Sequence, residues 1–196
     1  MSSSCGSATS SSTSPPIFDR NHSSSVSLAM PNRAPEIWEL DYGRIVAFDH
    51  DFIGRAALEK MVADGTTDKR KKVTFVWNGD DAAAAYGSMF HEGQGAEFIN
   101  LPMSLYDTFH FDRIEVNGKV VGVSTWCGYS ANERAMLSIG VIDAEFAQPG
   151  TEVTLFWGED TPSSKLQVED HVQVKIRATV QPVPLVEKAR TVYRSN

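Results

Sequence analysis

The sequence predicts a mainly β protein, a closed antiparallel Greek-key β-barrel of about six strands with a few short helices. Three observations carry this expectation. Runs rich in β-branched and aromatic residues, each bounded by turn residues, succeed one another through roughly the last 120 residues. Asn117-Gly118 sits between two of those runs, and this dipeptide tolerates the positive φ angles of a type I′ hairpin turn. The segment "HVQVKIRATV" alternates strictly, so that Val172, Val174, Ile176, Ala178 and Val180 are expected to face in and His171, Gln173, Lys175, Arg177 and Thr179 out. Helix–strand alternation of the parallel βαβ kind is missing. A closed barrel is then the economical way to cover so many strand edges.

Taken in order, the elements begin after a biased tail. "MSSSCGSATSSSTSPP" and "NHSSSVSLAMP" are nearly all Ser, Thr, Gly and Pro. Such a stretch cannot bury enough apolar area to offset its ordering entropy, so residues 1–34 are expected to be a disordered Ser-rich tail. It has no basic n-region followed by an apolar h-region. A transit peptide would be richer in arginine than Arg20 and Arg33 allow. One domain is expected over residues 35–194, about 160 residues, enough to bury roughly 70% of its unfolded surface.

Within that domain "FDHDFIGRAALEKM" holds the crowded triplet Asp49-His50-Asp51. From Ile53, apolar residues recur at Ala57, Leu58, Met61 and Val62, which is helical spacing on one face, and Gly65 supplies a stop. The spacing predicts a helix over 53–62, with the two carboxylates favoured by the free N–H groups of its first turn. A metal centre would need further ligands at recognisable spacing, and none is present, so the triplet is structural. "KRKK" leads as a solvated entry into "VTFVWN", a strand buried on both faces through Val73, Phe75 and Trp77. "DDAAAAYGSMF" reads as a short helix opened by Asp80 or Asp81. The Asn-Gly hairpin follows, then "RAMLSIGVID", "GTEVTLFWG" and the alternating last strand.

Composition narrows the function. A net charge of −7 and a pI near 5.2 exclude nucleic acid as the main partner, because phosphate neutralisation needs a basic face. No apolar run approaches the ~20 residues of a membrane span. Two cysteines, Cys5 and Cys127, are too few for a disulfide scaffold, so a reducing, cytoplasmic location is expected.

"WELDYGRIVAFDHDFIGRAALEK", "VTFVWNGDD", "GYSANERAMLSIGVID" and "PGTEVTLFWG", in this order, resemble the C-terminal part of the aminomethyltransferase family, that of the glycine-cleavage T-protein. Within it the segments most resemble the aryl-methyl-ether O-demethylases, which move a methyl group from vanillate- or syringate-type substrates to tetrahydrofolate. The likeness spans about residues 35–194. It implies the barrel fold, tetrahydrofolate as cofactor and an aromatic methyl ether as substrate. Members of this family are about twice as long, and their folate pocket is built mainly by preceding domains. The resemblance therefore carries over no catalytic residue. It implies a wall of the folate cavity, inactive without a folate-binding domain, the chain being either a fragment of a longer enzyme or one that meets that domain on another chain. The alternative is a stand-alone binding or interaction module that retains the barrel and has lost the chemistry.

"STWCGYS" is the candidate functional stretch, with Trp126, Tyr129 and Ser130 as the cofactor-binding residues. Hydroxyls, two aromatics and a glycine suit stacking and hydrogen bonding against a flat ring. The alternative is a barrel rim whose aromatics pack, and the family's matching stretch is a Thr-Ser-Gly-Gly loop, from which Trp126 and Tyr129 depart. Cys127 has no histidine at an informative distance and is expected to be a small buried residue. "MFHE" lacks the second histidine of a zinc helix, which leaves His91-Glu92 without a metal role, and "HEGQGAEF" lacks the Lys-Ser/Thr of a phosphate loop. His22, His50, His110 and His171 are scattered and expected at the surface or at helix entries. Arg177, Lys188 and Arg190 offer either a solvated face or a contact for a polyglutamate tail or an acidic partner.

Overall fold

In the computed structural model, described over residues 37–67, 69–101, 111–158 and 169–192, six strands close into an antiparallel barrel. They are β1 (Arg70–Trp77), β2 (Asp112–Val116), β3 (Lys119–Ser130), β4 (Ala135–Asp143), β5 (Glu152–Trp157) and β6 (Val174–Gln181). Their order around the barrel is β1-β4-β3-β2-β5-β6, with β6 returning to β1. The meander β2-β3-β4 thus comes back beside β1, which is the Greek key. Closure satisfies both edges of every strand. The expected fold class is the observed one. The Ser-rich tail of residues 1–34, with Cys5 and His22, lies outside the described residues, as does His110.

The hairpin turns as its sequence predicts. Asn117 and Gly118 take φ values of 52° and 79°, the two positive angles of a type I′ turn. Inward-facing side chains fill the barrel, with Phe75, Ile114, Ile142, Leu155, Trp157, Ile176 and Val180 essentially sealed from solvent. Each large apolar side chain so buried contributes about 1.5–3 kcal/mol. Trp77 and Trp157 meet across the interior with ring centroids 5.4 Å apart at 60°. The interior also holds a polar chain, in which Trp77 Nε1–H donates to Ser138 Oγ at 2.9 Å and Ser138 Oγ lies 2.8 Å from Ser124 Oγ. These hydroxyls satisfy an indole that would otherwise be buried unpaired.

The helices depart from expectation in detail. The first, α1 (Arg55–Ala63), starts two residues after Ile53 because Gly54, at φ 94°, is its N-cap, and no side chain caps it. Asp51 instead pairs with Arg55 at 3.3 Å, and Asp49 with His50 at 2.7 Å, both on the surface. Gly65 does end the helix, at φ 62°, with Thr66 N–H bonded back to the Met61 carbonyl. No residue of α1 is buried. The second helix, α2 (Gly79–Ser88), is opened by Asn78, whose side chain accepts from the Asp81 N–H at 3.0 Å, and not by Asp80 or Asp81. It packs Ala82 and Ala85 into the core. A short third helix, α3 (Glu187–Thr191), follows β6.

The strict alternation of the last segment holds only from Val174 onward. His171, expected to face out, is buried, and Val172, expected in, is 45% exposed. Both residues precede β6, and Val172 N–H bonds to the Gly95 carbonyl in an isolated parallel bridge. Outside the β6 ladder the period of two no longer fixes the facing, and His171 Nε2 turns to Glu97 at 3.4 Å.

Candidate functional site

Trp126 owes its position to one extra residue. β3 pairs Ser124 with Gly140 and Trp126 with Ile139, so Thr125 is a bulge. Before it, Ser124 faces the barrel interior. After it the parity is reversed, so that Cys127 faces in and Trp126, Gly128 and Ser130 face out. Thr125 Oγ1 donates to the Ile139 carbonyl at 2.7 Å and holds the bulge shut. Cys127 is therefore the small buried residue expected, with no access to a ligand.

On the outer face Trp126 lies beside Ile139, and Gly128 beside Leu137. Thr74 and Val76 of β1 continue the same surface from the other side of β4. The segment Val183–Pro184–Leu185 runs over it as a strap. Thr74 Oγ1 donates to the Pro182 carbonyl at 3.0 Å, and Arg190 of α3 donates to the carbonyls of Pro184 and Leu185. Between strap and sheet lies a cavity of about 340 Å³ lined by Trp126, Tyr129, Ser130, Leu137, Ile139 and Pro184, among others. All three predicted site residues line it. Tyr129 stands half-exposed at its rim, and Ser130 Oγ accepts from the Glu133 N–H at 3.4 Å. The strap and the β4 residues were not legible as site residues, because nothing local pairs positions 183–185 with position 126.

Chemically, the cavity can hold the face of a flat apolar ring. It brings together two aromatics, branched aliphatics and the hydroxyls of Thr74, Tyr129, Ser130 and Ser138, and no carboxylate, imidazole or thiol lines it. Such a lining suits contact with one face of a flat ring. Elsewhere the other candidates resolve into structure. Among the described residues no group of three or more His, Cys, Asp or Glu could hold a metal, and His91 and Glu92 are exposed. No helix among them is long and apolar enough to cross a membrane. Arg190 is committed to the strap. Arg177 is committed to Asp81, whose carboxyl the guanidinium holds at about 2, below its ordinary 3.8.

No family model matches the chain. Curated relatives do, these two among them. It is 33% identical over 143 residues to a sesamin methylene transferase of Sinomonas sp. (strain No.22), a match covering 67% of this chain and 31% of that protein. It is 45% identical over 157 residues to a syringate O-demethylase of Sphingobium sp. (strain NBRC 103272 / SYK-6), covering 80% of this chain and 33% of the relative. The chain thus spans about one third of the length of these relatives. It belongs to the family of the syringate O-demethylase, matching one part of that longer protein.

Proposed function

We propose that this chain is the barrel portion of a tetrahydrofolate-dependent aryl-methyl-ether O-demethylase, working together with a folate-binding domain. The observation that carries the reading is the pairing of 45% identity to a syringate O-demethylase with a cavity that has aromatic walls and no acid, base or nucleophile. Methyl transfer requires the donor and the accepting nitrogen to be held in line, and such positioning contributes ~7–11 kcal/mol of a barrier only when both reactants are fixed. One wall fixes neither. The surface before the barrel suits a contact with that domain: α1 buries none of its residues, and Ile45 and Ile53 stand largely in solvent.

A demethylation assay with syringate and tetrahydrofolate, alongside calorimetric titration with tetrahydrofolate, tests this. The chain alone is expected to show no turnover and weak folate binding, with activity appearing when the folate-binding part of the relative is added in trans. Turnover by the chain alone refutes the reading. The second reading, a stand-alone binding module, draws support from the complete closure of the barrel around its own core. It predicts no activity with or without the added domain.

A further inference from the structure

We propose that a second cavity, where the chain enters β1, is a binding site for a small organic oxyanion, a molecule carrying a carboxylate or phosphate group. The cavity measures about 470 Å³ and is lined by Trp38, Asp41, Arg44, Thr67, Lys71 and Lys72, with Gly43 and Val183 completing it. It concentrates three cations against one carboxylate on a protein whose net charge is −7. Asp41 and Lys71 have partners of their own. Besides the Thr67 hydroxyl, which can donate or accept, the charged groups left over are donors. Trp38 lends its ring to the lining, while its Nε1–H is sealed from solvent. The Arg44 guanidinium takes part in no hydrogen bond or ion pair among the described residues. Lys72 Nζ has only the Leu40 carbonyl at 3.5 Å and the Tyr42 ring at 5.8 Å.

Guanidinium and ammonium groups donate and cannot accept, so a ligand that satisfies them must be an acceptor, and a negative one. Guanidinium meets planar carboxylate or phosphate with two parallel bonds, and ammonium adds a point charge. The Trp38 ring beside these cations is fixed in place. A Cβ at Gly43 would lie 2.3 Å from Trp38 Cε3, so the ring packs flat on the bare backbone there. The turn beneath it is tied by Asp41 N–H to the Trp38 carbonyl at 3.1 Å and by Ile45 N–H to the Tyr42 carbonyl at 3.0 Å. The volume exceeds that of a bare ion and falls in the range of small-molecule sites, with the Trp38 ring and Val183 available to an organic body.

The test uses the full chain labelled with nitrogen-15 and reads the indole N–H signals while benzoate, inorganic phosphate or neutral benzamide is added. The Trp38 signal is assigned by its loss in Trp38→Phe. It is expected to move saturably with benzoate or phosphate and not with benzamide. Arg44→Gln should weaken binding by about tenfold and Lys72→Gln severalfold, while Lys188→Gln, on the exposed face of α3, leaves it unchanged. Saturation by benzoate alone assigns a carboxylate ligand, and by phosphate alone a phosphate ligand. The signals of Trp77, Trp126 and Trp157 report whether each variant is folded. Linear drift without saturation, equal response to benzamide, or undiminished affinity in a folded Arg44→Gln overturns the proposal. The demethylase reading is tested separately, by turnover and folate binding.

Discussion

Asp81 and Arg177 are joined by three hydrogen bonds: Oδ2 accepts from the Arg177 backbone N–H at 2.9 Å and from Nε at 2.8 Å, and Oδ1 accepts from Nη2 at 2.8 Å. This clamp ties the start of α2 to β6, and Asn78 Oδ1 joins it at 3.2 Å from Nη2. It also uses the arginine that, from sequence, was a candidate contact for an acidic partner. Because the carboxylate is the bonded form, its pKa falls to about 2.

A pH dependence follows from that depressed value. The stabilisation from a lowered carboxyl is fully present above its unfolded pKa of about 4 and is lost as pH falls through about 2. Asp81→Asn is expected to lower the melting temperature at pH 6, with the two proteins converging towards pH 2. Added salt should narrow the gap, since Arg177 is mostly exposed. Thermal melts from pH 7 to pH 2 check this; a constant difference at all pH values contradicts it.

Ser138→Ala should destabilise the barrel by about 1–3 kcal/mol, because Trp77 Nε1–H loses its acceptor inside the core. The double variant Trp77→Phe/Ser138→Ala removes both partners and should lose less than the sum of the two single changes. Urea unfolding of the four proteins measures the coupling.

Gly140→Ala should cost about 1–3 kcal/mol or more, since the new methyl would lie 2.1 Å from the Val123 carbonyl oxygen and 2.7 Å from Phe75 Cε2. Gly79→Ala, where nothing lies within 4 Å of the added carbon, is the control and should be far milder. Denaturant midpoints for the two variants give the comparison.

In a reconstituted system with a folate-binding domain, Trp126→Ala should reduce demethylation more than Tyr129→Ala, because Trp126 forms the cavity wall and Tyr129 its half-exposed rim. Steady-state rates with syringate measure it. Undiminished activity in both variants would remove this cavity as the site while leaving the family membership intact.

The sequence by itself determined the local elements: the six β runs, the Asn117-Gly118 turn with its two positive φ angles, the stop at Gly65 and the inward row Ile176, Ala178 and Val180. These follow from backbone preference and the period of two, which act within a few residues. Only the tertiary structure decided what distance in the chain conceals. The bulge at Thr125 reverses the parity of β3 and sends Trp126 outward, a change that no alternation within β3 announces. Asn78 caps α2, and Asp81, inside the first turn, is held by Arg177, 96 positions away. His171 turned inward because it lies before the ladder, beside Glu97. The strap at 183–185 shares a cavity with β3, and Arg44 shares one with Lys72, because tertiary folding brings separate segments together. Periodicity states which way a side chain points relative to its own strand; which other strand or loop stands there is set by the closing of the whole barrel.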